Sequence, residues 1–314
     1  MRVPMYHYVR PTVDRPPGGY YRLALADFRA QLDRLASRYD LLDREQALAV
    51  LRGERPPPDD GVLLTFDDGL VDHHEWVLPE LRDRGVCGVF FVTTGPLDGC
   101  VPAVHRVHAL LGAVPAREVH AALRETMADR DVSPDRGRSA DTYDEGGVTG
   151  DDAEAAAAVK RLVNFELPPT SVSKLVGAVE ERLSKPTPSV DSYYLSATQL
   201  RDLDEAGMLL GAHTVTHPVL SRLPPAAQRV EVRDSFDRLE SLVGPLDVRL
   251  FAYPYGGAET FTDETTAILQ ESGCDLAFTT VSGTVDAESL TTSPYELRRQ
   301  DCNEFPHGGA TFDL

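Results

Sequence analysis

The sequence predicts an α/β fold in which helices cover a parallel sheet, either a closed barrel or a doubly wound sheet. Three observations favour it. Short apolar runs alternate with amphipathic stretches along most of the chain, and two of those runs end in clusters of Asp or His. The 314 residues are also enough to bury a large core.

The alternation is regular at both ends of the chain. A turn rich in Pro and Gly, residues 15–19, follows the first apolar run, and later turns separate the other elements. The apolar spacing predicts the following strands (S) and helices (H): S 3–9, H 27–37, S 39–42, H 44–52, S 62–66, H 77–84, S 86–93, H 197–206, S 208–212, H 225–242, S 248–253, H 263–271, S 274–280 and S 295–299.

Residues 99–190 interrupt this alternation and are predicted to be a helical insertion. Helical spacing recurs in three stretches, and a polar link lies at 133–152. The insertion leaves the sheet at the end of strand 86–93, so we expect it on the rim that carries the Asp and His clusters. The predicted domains are therefore a core of residues 1–98 and 191–314, and an insertion that covers one side of the groove. Alternatively, the insertion faces a partner subunit through Leu110, Leu111, Leu162 and Val163.

Charge and composition restrict the partners. A net charge of −19 argues against binding nucleic acid or an anionic membrane surface. No window reaches the ~18 uninterrupted apolar residues of a membrane span, and the first residues lack the apolar core of a signal peptide. The four cysteines are widely spaced and contain no Cys-x-x-Cys pair. We expect a reduced, cytoplasmic protein, with homo-oligomer formation left open.

Two clusters carry the chemistry. Asp67 and Asp68 end the strand at 62–66, and His213 and His217 follow the strand at 208–212. Ligands of parallel α/β sheets gather at the carboxyl ends of the strands, so we expect these side chains to meet. One Asp and two neutral imidazoles supply three metal ligands and leave a position open for water. The second Asp is then available as a general base.

The motifs resemble a known family. Thr65-Phe66-Asp67-Asp68-Gly69, the His213-to-Pro218 element and Phe251-to-Gly256 occur in the order found in the polysaccharide deacetylase superfamily, carbohydrate esterase family four. The start Met5-Tyr6-His7-Tyr8 also resembles the first barrel strand of that superfamily. The resemblance implies an α/β fold of the distorted (β/α) barrel type with about seven strands. It also implies one divalent metal ion and hydrolysis of an N-acetyl or similar amide. For the Asp-His-His set, zinc is the expected ion, and cobalt, nickel or iron could bind the same ligands.

Carried over position by position, the resemblance gives Asp67 the role of general base. It makes Asp68, His213 and His217 the metal ligands. It further implies that the backbone N–H of Tyr255 binds the oxyanion, and that Tyr253 and Pro254 line the substrate groove.

The chain departs from the family pattern in two ways. The Arg that steadies the base is replaced by Ala252, and we expect Arg298 or Arg299 to supply the cation, although either could pair with Asp301 or Glu296. Arg299 is also a candidate substrate contact. The family's late Leu-x-His is absent as well. The proton donor is therefore His7, which ends the first strand, or His307, in the Gly-rich tail, and we prefer His7.

A second histidine pair lies at the start of the insertion. His105 and His108 are three residues apart and share one face of a predicted helix. We interpret them as residues that pack on the barrel mouth and contact substrate. A second metal site is the less favoured interpretation.

The sequence thus predicts a metal-dependent N-deacetylase in which Asp67 activates a metal-bound water. The expected substrate is an amino sugar or a sugar-like small intermediate rather than a polymer. One alternative is another small-amide, imide or formamide hydrolase of the same superfamily. A non-enzyme alternative is a carbohydrate-binding protein built on a degenerate barrel.

Overall fold

The computed structural model describes residues 1–11, 21–134, 151–308 and 311–312. Seven parallel strands close into a barrel in the order β1-β11-β10-β9-β8-β7-β6, and pairing of Met5 with Thr65 closes the ring. The prediction of a distorted barrel of about seven strands is confirmed. The strands are β1 Pro4–Tyr6, β2 Val9–Arg10, β3 Tyr21–Ala24, β4 Asp40–Leu41, β5 Gly61–Val62, β6 Leu64–Phe66, β7 Gly88–Val92, β8 Leu209–Ala212, β9 Leu250–Ala252, β10 Leu276–Ser282, β11 Leu297–Asp301 and β12 Thr311–Phe312.

Helices connect most of the barrel strands, as the alternation predicts. The turn at 15–19 lies outside the described residues, as does most of the link at 133–152. The helices are α1 Leu25–Ala36, α2 Arg44–Leu51, α3 Leu78–Arg84, α4 Ala103–Ala113, α5 Ala116–Asp129, α6 Asp151–Arg161, α7 Pro169–Arg182, α8 Ala197–Glu205, α9 Pro225–Val243, α10 Asp263–Glu271 and α11 Ala287–Thr292.

Alternate residues of each barrel strand point to opposite sides of the barrel wall. In β7, Phe90 belongs to a core cluster that includes Phe28 of α1 and Phe236 of α9. Its neighbour Phe91 belongs to a different cluster, which fills the barrel with Phe278 and other strand residues. In β7 this alternation places apolar side chains on both faces of the barrel wall, which explains why that strand reads as a continuous apolar run.

Helices α4 to α7 lie between β7 and β8 in the chain and pack around a core of their own. Leu110, Leu111, Leu162 and Val163 are buried in this core, each at most 5% exposed. The suggestion that these four residues face a partner subunit is therefore wrong, because their side chains already pack inside the chain. In the described part of the protein, no helix combines the length and apolarity that crossing a bilayer requires.

Candidate metal centre and cavity

Asp68, His213 and His217 meet at the carboxyl end of the barrel. Asp68 follows β6 and His213 follows β8, and one ligand atom from each of the three side chains lies within 4.8 Å of the others. The Oδ1 atom of Asp68 is 3.5 Å from Nε2 of His213 and 3.3 Å from Nε2 of His217. The structure thus brings together the three residues that the sequence predicts as metal ligands.

The chemistry of this cluster fits a divalent cation. Asp68 Oδ1 is buried and has no hydrogen-bond partner, which is costly for a polar atom unless something else binds it. Burial alone would raise the pKa of Asp68, but the surrounding imidazoles, His105 first among them, hold that pKa well below its usual value. One carboxylate and two imidazoles are a donor set that zinc accepts.

The orientation of His213 is fixed by the backbone of β9. Its Nδ1 lies 2.7 Å from the carbonyl oxygen of Ala252, to which it donates a hydrogen bond. This contact assigns the ring proton to Nδ1, so the lone pair of Nε2 faces Asp68. Ala252 occupies the position where the family has Arg, and it contributes through its carbonyl oxygen rather than its side chain.

His105 holds the other oxygen of Asp68. Its Nε2 is 3.1 Å from Asp68 Oδ2, and its Nδ1 is hydrogen-bonded to the hydroxyl of Tyr194. The ring borders the cavity but is only 1% exposed, and both of its nitrogens are engaged. His105 therefore binds the predicted metal ligand Asp68, and its contact with substrate stays a prediction. His108 does line the cavity, and its Nδ1 is 3.5 Å from the hydroxyl of Tyr8.

Asp67 forms a bidentate ion pair with Arg299. The distances are 2.6 Å from NH1 to Oδ1 and 2.7 Å from NH2 to Oδ2, and both side chains are almost completely buried. Burial alone would raise the pKa of Asp67, but Arg299 lowers it below its ordinary value, so the carboxylate stays ionised.

The two adjacent arginines of β11 therefore have different positions. Arg298 is exposed, whereas Arg299 is 0% exposed and reaches Asp67 from across the barrel. The expectation that Arg299 contacts substrate is wrong, because its side chain has no exposed surface. Of the two arginines expected beside the base, Arg299 is the one that pairs with Asp67.

The two candidate proton donors lie in different places. His7 lines the cavity, its side chain is 41% exposed, and its Nε2 is 4.0 Å from Asp67 Oδ2. His307 is exposed and does not contribute to the cavity wall. Of the two, only His7 is close to Asp67.

The segment after β9 forms one side of the cavity. Tyr253 lines the cavity, and its hydroxyl donates to the carbonyl of Tyr295 at 2.9 Å. Pro254 is buried and outside the lining, which corrects its expected substrate contact. Tyr255 lines the cavity, and its ring packs edge-on against His217 with 5.0 Å between centroids.

Four residues at this site have left-handed backbone conformations that are uncommon outside glycine. They are Asp68 (φ 78), Thr214 (φ 65), His217 (φ 59) and Tyr255 (φ 64). Such conformations cost about 1–3 kcal/mol each and persist where the surroundings enforce them. Hydrogen bonds hold the two residues before His217: Glu231 accepts from the backbone N–H groups of Val215 and Thr216 at 2.8 and 2.9 Å.

These residues surround a cavity of about 480 Å³. The insertion supplies part of the wall, so it lies next to the side-chain cluster of Asp68, His213 and His217. Sequence reasoning missed several lining residues, because they carry no motif and reach the cavity only through the packing of distant segments. They include Lys160, Phe165, Gly257, Glu259, Thr280 and Asp301.

Comparison with known proteins supports the resemblance. Residues 186–277 match the family model described as Polysaccharide deacetylase, and no curated protein sequence matches the chain. This family match confirms the prediction of a hydrolase that acts on carbon–nitrogen bonds other than peptide bonds.

Solved structures share the fold over most of the chain. The deacetylase PplD of Streptococcus pyogenes, in complex with acetate, matches with 19% identity, a TM-score of 0.57, and coverage of 96% of this chain and 91% of that one. The BpsB deacetylase domain from Bordetella bronchiseptica matches with 15% identity, a TM-score of 0.53, and coverage of 96% and 94%. IcaB from Ammonifex degensii matches with 18% identity, a TM-score of 0.51, and coverage of 96% and 93%.

Proposed function

We propose that this chain, which matches the polysaccharide deacetylase family model over residues 186–277, is a metal-dependent N-deacetylase of an amino sugar or a sugar-like small intermediate. Water adds across the amide, the C–N bond breaks, and acetate and a free amine are released. One observation carries the proposal. Asp67, which Arg299 keeps ionised, lies beside Asp68 in the sequence and in the cavity wall. The buried Oδ1 of Asp68 faces the imidazoles of His213 and His217 and has no hydrogen-bond partner.

Asp68, His213 and His217 would hold the ion, and zinc is the expected metal for this donor set. An ion held there would polarise the acyl carbonyl as a Lewis acid and would lower the pKa of the attacking water to about 7. His105 keeps the Asp68 carboxylate oriented toward the two imidazoles, because it binds the oxygen that does not face them.

The remaining residues move protons and hold charge. Asp67 accepts the proton of the attacking water, and Arg299 keeps Asp67 ionised and oriented for that step. His7, exposed at the cavity wall and 4.0 Å from Asp67, donates a proton to the leaving amine. The backbone N–H of Tyr255 stabilises the developing oxyanion, a contribution typically worth ~3 kcal/mol.

The size of the cavity supports a small substrate. Its 480 Å³ lies within the range of ~300–1,000 Å³ typical of small-molecule sites. Residues 99–190 act as a cover on a barrel formed by 1–98 and 191–314, since Val104, Lys160 and Phe165 form part of the wall. A cytoplasmic location and a homo-oligomeric state remain predictions from the sequence.

The test is acetate release from a panel of N-acetylated monosaccharides, sugar nucleotides and short oligosaccharides, measured by mass spectrometry with and without a chelator. We expect release from at least one small substrate, its loss with chelator, and its return when zinc is added. Hydrolysis that is unaffected by the chelator, or no hydrolysis of any N-acetyl sugar, would refute the proposed function.

A further inference from the structure

A second, smaller cavity lies beside His217, one of the three predicted metal ligands. Its volume is about 210 Å³, and three residues, Val104, His217 and Tyr255, line both cavities. The two spaces therefore meet at a metal ligand and at the residue whose backbone is proposed to bind the oxyanion. The smaller space lies between the insertion and the loop after His217, because both segments contribute to its wall.

The wall of this smaller cavity is mainly apolar. Its aliphatic lining comes from the insertion and from the loop after His217, namely Val101, Val163, Pro169, Val172, Pro218 and Val219.

Several polar side chains at this wall are hydrogen-bonded within the protein, among them Arg222, whose NH1 donates to the carbonyl of Asn164 at 3.0 Å. Asn164 Oδ1 accepts from the Tyr255 hydroxyl at 2.9 Å, and Thr216 Oγ1 donates to Glu231 at 2.6 Å. Ser173 Oγ accepts from Arg106 at 3.2 Å. Because aliphatic side chains form most of the wall, an apolar ligand group fits this cavity.

The larger cavity is different, because Asp67, His7, Glu259 and Asp301 line it. A scissile carbonyl placed between His217 and Tyr255 has one substituent on each side. Its hydroxyl-rich amine side matches the cavity with these ionisable side chains, and its acyl side matches the smaller cavity.

We infer that the smaller cavity is an acyl pocket, and that the enzyme acts on N-acyl groups longer than acetyl, with chains of about four to eight carbons. A cavity needs only ~10–15 Å³ to hold one water molecule, so 210 Å³ is far larger than a single methyl group requires. This inference rests on the proposed function and specifies its substrate class. In the reaction, the C–N bond breaks, the acyl carbon takes the hydroxyl of water and leaves as a carboxylate, and the amine takes the proton.

The first experiment compares a series of N-acyl glucosamines with acetyl, butyryl, hexanoyl and octanoyl groups, using the zinc-loaded protein. Each buried methylene is worth about fourfold in binding. We expect kcat/KM for the hexanoyl substrate to exceed that for the acetyl substrate by at least about tenfold. Equal or faster hydrolysis of the acetyl substrate would overturn the inference and leave the proposed function standing.

The second experiment fills the pocket. Val172 lines only the smaller of the two cavities, so Val172→Trp should lower kcat/KM for the hexanoyl substrate at least about tenfold and change the acetyl rate by less than about threefold. Val230→Trp is the matched control, because Val230 is 48% exposed on α9 and lines neither cavity. Equal losses for both substrates in Val172→Trp would contradict the pocket assignment.

A binding measurement separates the two proposals and does not depend on turnover. Acetate and hexanoate are titrated into the protein by calorimetry. Tighter binding of hexanoate, lost in Val172→Trp and kept in Val230→Trp, supports the acyl pocket even when no N-acyl sugar is hydrolysed, in which case only the proposed function fails. Equal affinity for the two carboxylates overturns the acyl pocket.

Discussion

The Asp67→Asn variant is expected to keep its metal and to lose roughly 10²–10⁴-fold in kcat, the range typical of a missing proton-transfer group. Asparagine keeps the shape of the side chain but cannot accept the proton of the attacking water. Steady-state acetate release and metal content, measured on the same preparation, test this expectation. Because Arg299 loses the charge that balances it, the variant should also unfold at a lower temperature, and assays belong well below that midpoint.

The matched control is Asp68→Asn, the same substitution at the neighbouring position. Asp68 faces both imidazoles, so this variant should lose metal affinity, and excess metal should restore part of the activity. If Asp67→Asn lost the ion while Asp68→Asn kept it, the roles of the two carboxylates would be reversed.

The second large effect is expected for Arg299→Met. Arg299 binds both oxygens of Asp67 and also donates from Nε to the carbonyl of Thr279 at 2.9 Å, entirely in the interior. Removing one partner of a buried ion pair typically destabilises a protein by ~3–5 kcal/mol, because the remaining charge stays buried. Chemical denaturation of the metal-loaded protein should show a loss of this size.

The same variant should change the pH dependence. With Arg299 present, the pKa of Asp67 is below its ordinary value of 3.8. The stabilising contribution of Asp67 is therefore fully present above that value and is lost as the pH falls through the lower, folded-state pKa. Without Arg299, burial raises the pKa of Asp67, so the acidic limb of the kcat/KM profile should move to higher pH.

The neighbouring arginine supplies the control for both effects. Arg298 is exposed and donates to the carbonyl of Ser282 at 3.4 Å, so Arg298→Met should change stability by less than about 0.5 kcal/mol and leave the pH profile in place. Arg299→Lys keeps the charge but not the paired geometry, and it should fall between wild type and Arg299→Met. An unchanged acidic limb in Arg299→Met would contradict the role assigned to Arg299.

The parts of the site that lie next to strand ends could be predicted from the sequence. Asp67 and Asp68 directly follow β6, and His213 directly follows β8, so knowing that the strands are parallel is enough to place them on one rim. For the cation beside Asp67, the sequence leaves two candidates, Arg298 and Arg299. The choice between adjacent residues of a strand depends on which one faces the barrel interior, and that register is fixed by pairing with β1 and β10.

The contributions of the insertion could be predicted only in outline. Apolar spacing places its helices but does not say which core they bury against. The sequence therefore leaves a partner-facing surface as an alternative for Leu110 and Leu162, which in the structure pack inside the chain. The contact of His105 with Asp68 and Tyr194, and the hydrogen bond from Tyr255 to Asn164, join segments 37 to 91 positions apart. Such contacts follow from tertiary packing, for which a single sequence contains no periodic signal.

The most direct measurement is the metal content of wild type and of His213→Ala after loading with zinc and gel filtration. His213 supplies one ligand atom of the cluster, and its Nδ1 is already bonded to Ala252. The account predicts about one zinc ion per wild-type chain and much less in His213→Ala, since three protein ligands become two. No bound metal in wild type, or full occupancy in His213→Ala, would contradict it.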